Sequence, residues 1–321
     1  MSESYLTTPL EPSEVRSSVS YSSTPLALDL RNLVVGYGSK IILNGVTLAV
    51  PQQSIYALLG PNGSGKTTLL KTLMDLQFAR SGTALAFGWD THKEGVEVRS
   101  QTALVSDSVS LFGALNALEH FKFGSKVQPK WDNKFAFSLS EDFELPLKTA
   151  HSRLSTGKRA ILAIIFALAS RPKLLLLDEP TNGLDPAARA MFFSQLIDFV
   201  SDGGTVFISS HVLGEVESIA DHIAILQHGR ILFSGNLDRL RGMHSVVQMV
   251  LRFEPDPVDL LKYAQIPGVT KVQNQGRTVH LRVEGDPQML LLLLEPRYQP
   301  KDLQVLPRSL ESIYLEICEE T

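Results

Sequence analysis

The sequence predicts an α/β fold with a largely parallel core sheet, followed by a small α+β domain. Three observations carry this expectation. An apolar run, Ile55 to Leu59, leads directly into a glycine-rich loop and then a helical pattern at Thr67 to Leu76. Two further apolar runs, Lys173 to Leu177 and Thr205 to Ser209, are each followed by a helix opened by Asp/Pro or His. Strands that alternate with helices imply parallel pairing, because a parallel neighbour needs a crossover long enough to bring the chain back. Beyond Gly242 the texture changes to β-branched runs spaced by short helical patterns, which reads as a second unit.

Taken in order, residues 1–25 are rich in Ser, Thr and Pro and too poor in apolar side chains to offset the entropy of ordering, so a disordered tail is expected. Residues 26–242 make the main domain in this reading. Its first strands are Leu33 to Val35, Val46 to Val50 and Ile55 to Leu59, about 98–152 reads as a helical subdomain without strong strands, and Ile223 to Phe233 closes the domain as a hairpin turning at His228-Gly229. For residues 243–321, strands are expected at Val246 to Phe253, Val269 to Val272 and Val279 to Val283, with helices at Pro257 to Ala264 and Pro287 to Leu294.

Composition narrows the partners. With 30 basic against 34 acidic residues, the chain lacks the basic footprint of a nucleic-acid binder, so no nucleic acid is expected to bind. Its longest apolar stretches, Ile161 to Ala169 and Met289 to Leu294, fall far short of the roughly 20 residues that cross a bilayer as a helix. The first 25 residues hold no apolar core of a secretory signal, and a lone cysteine, Cys318, forms neither an internal disulfide nor a metal site by itself. A chain that stays in a reducing compartment is the expectation, with Cys318 packed as a small apolar residue of a terminal helix.

The strongest local signal is Gly60-Pro-Asn-Gly-Ser-Gly-Lys-Thr-Thr68, a phosphate-loop pattern placed after a buried strand and opening a helix. Gly60, Gly63 and Gly65 leave room for backbone N–H groups, with Asn62 and Ser64 between them, to point at phosphate oxygens. The helix dipole adds positive potential to that cradle. In this reading Lys66 contacts the β- and γ-phosphates, Thr67 ligates Mg²⁺ and Thr68 stands nearby. Downstream, Leu174-Leu-Leu-Leu-Asp-Glu179 delivers two carboxylates to the ligand-binding edge of a parallel sheet, where Asp178 can reach the Mg²⁺ shell and Glu179 can polarise an attacking water.

The order of these elements over roughly Leu28 to Arg241 resembles the ABC ATPase family, a branch of the P-loop NTPases. Leu154-Ser-Thr-Gly-Lys158 is similar to the family signature LSGGQ, with Thr in place of the first glycine and Lys in place of the glutamine. Ser155 is also a good N-cap for the helix through Ile161 to Ala169, so a cap alone and a phosphate contact shared with Gly157 both remain open. Thr181-Asn-Gly-Leu-Asp-Pro186 resembles the D-loop, its Asp185 doubling as a helix cap before Pro186. By the same resemblance His211 is the switch histidine that meets the γ-phosphate. Tyr37 is the aromatic that stacks on adenine, although a turn tyrosine fits as well. Asp107 stands where relatives carry a Mg²⁺-sensing glutamine, and a solvated loop residue fits there equally.

The resemblance implies ATP and Mg²⁺ as ligands and ATP hydrolysis as the activity. It also implies a head-to-tail homodimer, or pairing with a similar ABC ATPase subunit, and a separate multi-spanning membrane subunit driven through the helical surface near Asp107 to Glu119. The expected place is the cytoplasm, peripheral on the inner face of the cell membrane. The end of the chain, Leu310 to Ile317, resembles the tails of exporter ATPases and tilts the reading toward export, an accessory dimerisation or regulatory domain being the alternative. A soluble ABC ATPase acting on ribosomes or nucleic acid is the rival function. Such relatives commonly carry two ATPase domains in one chain, a long coiled-coil insertion or basic extensions.

Overall fold

Alternation along the strands sorts this chain into two packed faces. The computed structural model describes residues 25–106, 111–243, 246–251, 253–283, 287–306 and 309–319. The tail expected over residues 1–25 lies outside the described residues apart from Pro25, and Asp107 lies outside them too.

The first stretch contains β1 (Leu26–Tyr37), β2 (Lys40–Pro51), β3 (Ile55–Leu59), α1 (Lys66–Leu73), β4 (Ala79–Ala86), β5 (Trp89–Asp90), α2 (Gly95–Arg99) and β6 (Thr102–Ser106). The middle holds α3 (Ala117–Val127), α4 (Asn133–Asp142), a 3₁₀ turn at His151–Arg153, α5 (Thr156–Ala169), β7 (Leu174–Asp178), α6 (Pro186–Ser201), β8 (Thr205–Ser210), α7 (Leu213–Glu217), β9 (His222–Gln227), β10 (Arg230–Asn236) and α8 (Leu237–Met243).

Six strands form the main sheet in the order β10-β9-β3-β8-β7-β6, parallel except for β10 at one edge. Every residue of β3, β7 and β8 is buried, as a parallel sheet covered on both faces requires. Ile55, Ala57, Leu175 and Leu177 face a core roofed by α5 and α6, whereas Tyr56, Leu58, Leu174 and Leu176 face the other core, under α1 and a second sheet. That second sheet, antiparallel in the order β2-β1-β4-β5, is more extensive than the two short strands the sequence suggests near its start. The hairpin at His228-Gly229 forms as expected, both residues at positive φ, the geometry of a two-residue turn between antiparallel strands.

One expectation needs correcting. The range 98–152, read as helical, contains β6, which pairs with β7 at the edge of the main sheet. Five residues, Thr-Ala-Leu-Val-Ser, are too few for periodicity to separate a buried strand from a helical turn. The helices follow it: α3 starts at a reciprocal Asn116–Glu119 capping box, and α4 is capped by Asp132.

The last stretch contains β11 (Val246–Val250), α9 (Pro257–Ala264), β12 (Val269–Gln275), β13 (Thr278–Val283), α10 (Pro287–Tyr298), β14 (Asp302–Leu306) and α11 (Leu310–Glu319). Its antiparallel sheet, β12-β13-β11-β14, covers a separate core of Val247, Met249, Tyr263, Leu281, Leu290 and Leu294. β14 was not expected, because its alternation of Asp302, Leu303, Gln304 and Val305 is only four residues long. α11 leaves this unit: Leu310 and Ile313 are fully buried in the α5/α6 core, and the Leu310 amide donates to Glu217 of α7 at 3.1 Å. Cys318 is half-buried there, as a small apolar residue would be. Among the described residues no helix is long and apolar enough to cross a membrane.

Two predictions follow from this packing. Ile313→Ala should lower stability by about 2–4 kcal/mol in urea unfolding, since it empties a filled core site; an unchanged midpoint would mean α11 does not dock there. Burial holds the His120, His151 and His222 imidazoles below their ordinary 6.5. The unfolded chain therefore takes up these protons first, so this stability is present above about pH 6.5 and is lost as pH falls. Urea midpoints should decline between about pH 7 and pH 5, and His120→Gln should make that decline shallower.

Candidate functional site

The site begins where β3 ends. A side chain at Gly60 would collide with the Leu226 carbonyl and approach Ser64 Oγ at 2.8 Å. Gly63 and Gly65 hold φ of +82° and +115°, conformations that glycine alone adopts without strain. Gly65 sits at the N-cap of α1 with no side chain capping that end, so the first-turn amides face the loop.

Two buried polar groups point to a phosphate ligand for this loop. Ser64 Oγ is buried without a hydrogen-bond partner. Lys66, only 6 % exposed, directs its ammonium at the carbonyls of Gly60 at 2.7 Å and Pro61 at 3.3 Å and pairs with Glu179 Oε1 at 3.2 Å. Thr67 is half-buried in the first turn of α1 and Thr68 is buried beside it, while Asn62 is exposed on the loop.

The carboxylates are set by strand register. Ser106 of β6 and Ser209 of β8 are the cross-strand partners of Asp178 on either side. Ser106 Oγ donates to Asp178 Oδ2 at 3.0 Å and Ser209 Oγ donates to Oδ1 at 2.8 Å. Glu179 follows at φ +51°, its amide donating to Ser209 Oγ at 3.2 Å, and this left-handed step turns its side chain toward the loop. Glu179 Oε2 then meets His211 Nδ1 at 2.6 Å. Lys66, Glu179 and His211 thus form one continuous chain of contacts. Oε1 of Glu179, although ion-paired, has no hydrogen bond, leaving an acceptor for a water proton.

The remaining predicted residues stand elsewhere. Tyr37 lies 48 % exposed at the end of β1, opposite Lys40. Ser155 caps α5 by accepting from the Lys158 amide at 3.3 Å, and Asp185 caps α6 by accepting from the Ala188 amide at 2.9 Å. Gly157 packs on the Gly183 carbonyl, which leaves no room for a side chain. Among the described residues, no hydrogen bond or ion pair links Tyr37, Ser155, Gly157 or Asp185 to the Lys66–Glu179–His211 chain. Ser106 and Ser209 are the positions at this site that sequence reading missed. The available signal for the serines was a hydroxyl at or next to the C-terminal end of a buried strand.

The donor set also fits Mg²⁺. The Thr67 hydroxyl and the Asp178 carboxylate are hard oxygen donors of the kind such a cation takes beside phosphate oxygens. Each Asp178 oxygen accepts one serine hydroxyl and retains a second lone pair.

A phosphate loop with an Asp-Glu pair and a strand-end histidine on a parallel sheet defines a P-loop ATPase. Comparison with known proteins narrows the class. A family model described as ABC transporter matches residues 43–182. The lantibiotic transport ATP-binding protein SrtF of Streptococcus pyogenes is 32 % identical over 237 residues, covering 71 % of this chain and 98 % of that protein. The Nod factor export ATP-binding protein I of Rhizobium sp. (strain N33) is 29 % identical over 312 residues, 91 % of this chain and 97 % of that protein. A solved ATP-binding subunit of an ABC transporter superposes with a TM-score of 0.63 at 27 % identity, over 67 % of this chain and 92 % of that one. The chain belongs to the ABC transporter ATP-binding protein family, and its activity is ATP hydrolysis.

Ser209→Ala removes the donor to Asp178, while the Glu179 amide keeps its second acceptor, the backbone carbonyl of residue 209. ATP turnover should fall about tenfold, the equivalent of one hydrogen bond of ~1.4 kcal/mol, with the melting temperature as control.

Proposed function

We propose that this chain is the motor of an exporter. It binds ATP with Mg²⁺ at Gly60 to Thr68, pairs head to tail with a second copy or a similar ABC ATPase subunit, and drives a substrate through a separate multi-spanning membrane protein. It works in the cytoplasm, peripheral on the inner face of the cell membrane. The observation that carries this reading is the Lys66–Glu179–His211 chain at the sheet edge. Support for export comes from relatives named for lantibiotic transport and Nod factor export.

In this mechanism the loop amides and Lys66 hold the phosphates, and Tyr37 offers a flat face to adenine. Thr67 and Asp178 would hold Mg²⁺, which when bound would supply charge neutralisation at the phosphates. Glu179 accepts a proton from the attacking water, and His211 orients Glu179 and reaches the γ-phosphate. Lys66 must exchange Glu179 for phosphate, so ATP binding frees the carboxylate for its task. Ser155, Gly157 and Asp185 serve the ATP of the paired subunit. We assign residues 26–242 to the ATPase domain and 243–321 to an accessory domain. Phe112 and Phe123, exposed and 5.4 Å apart, offer the membrane protein an apolar contact beside α3.

Glu179→Gln should retain ATP while turnover falls by about 10²–10⁴, as the loss of a general base entails. Rapid turnover by this variant would remove Glu179 from its role. Transport is tested by purifying the tagged chain from its native membranes in mild detergent. A co-purifying multi-spanning protein that stimulates hydrolysis is the expected result; recovery only from the soluble fraction with ribosomes or nucleic acid would overturn transport.

A further inference from the structure

Lys158 stands at the third position of α5, in the first turn of a helix whose positive end disfavours a cation and whose usual occupant there is an acid that completes the cap. Its presence is explained by where its ammonium goes. Nζ donates to the carbonyls of Phe143 at 2.7 Å and Glu144 at 3.0 Å, just past the end of α4. There a cation meets the negative end of a neighbouring helix.

The end of α4 does not need Lys158 to close. Leu145 N donates to Ser140 O at 2.9 Å and Glu144 N donates to Glu141 O at 3.0 Å, the two bonds of a Schellman turn, with Glu144 at φ +48° in the left-handed position. The two carbonyls the ammonium takes lie within that turn and are not the acceptors of its two bonds. On its other flank the same first turn of α5 rests on the turn before α6: Gly157 lies on the Gly183 carbonyl, and a side chain at Gly183 would approach Thr156 Cγ2 at 3.1 Å. The turn carrying Ser155 and Gly157 is therefore gripped from both sides.

We infer that Lys158 is a positioning residue for hydrolysis, bolting the first turn of α5 to the end of α4 and so setting where Ser155 and the Gly157 amide stand. This rests on the reading in which that turn meets ATP bound by the paired subunit. The family's glutamine carries its amide one bond closer to the backbone than the lysine ammonium and has no charge. Lysine thus brings a longer, charged donor to these carbonyls and a charge-assisted pair of bonds.

The test uses the full chain, with Lys158→Ala and Lys158→Arg, and reads three quantities: affinity for ATP by titration, turnover as a function of protein concentration, and melting temperature. The chain's own phosphate loop does not involve Lys158, so Lys158→Ala should bind ATP within about twofold of the unmodified chain while turnover per chain falls about tenfold, as a misplaced reacting partner predicts. Lys158→Arg, which can also donate to two carbonyls, should recover turnover to within about threefold. Turnover of Lys158→Ala equal to the unmodified chain overturns the inference. So does parallel loss of affinity, melting temperature and turnover, or failure of Lys158→Arg to rescue. The underlying reading is judged on the unmodified chain: turnover per chain that rises neither with protein concentration nor on adding a co-purified similar subunit refutes pairing, and this inference with it.

Discussion

Everything at this site depends on the register of three parallel strands. Because Ser106, Asp178 and Ser209 are direct cross-strand partners on β6, β7 and β8, two hydroxyls meet one carboxylate without any loop having to be placed. The residue immediately after β7 is then Glu179, and the residue immediately after β8 is His211. A slip of one residue in either pairing would reverse which side chains face each core and separate the serines from Asp178. Burial of all five residues of β7 between two cores is what makes such a slip costly.

Much of this was legible in the sequence because its determinants are local. The phosphate loop needs glycines at backbone positions that other residues avoid, and Gly63 and Gly65 are found there at positive φ. Ser155 and Asp185 announce their helices through caps that bond only a few residues away. The apolar runs of β3, β7 and β8 mark a sheet covered on both faces. β6 and β14 escaped because each is only five residues long, too short a window for its periodicity to stand out from its surroundings.

What sequence reading missed is non-local. The role of Ser209 depends on Asp178, 31 positions away, and that of Ser106 lies 72 positions from the same carboxylate. The lysine that replaces the family's glutamine looked like a departure from the signature, and its partners on α4 become visible only once α4 and α5 are packed. The course of α11, back across the first core, is of the same kind: its apolar face is evident, but not which core it covers.

That return has a consequence for how the protein is made. The bond from the Leu310 amide to Glu217 spans 93 residues, and Leu310 and Ile313 complete the core beneath α5 and α6. During synthesis the ATP-binding half emerges first with a groove that its own residues do not fill. Long-range closure of this kind is slow, because loop entropy is lost before the contact is gained. Until α11 has left the ribosome, the earlier part of the chain presents an apolar seam, which that helix then covers.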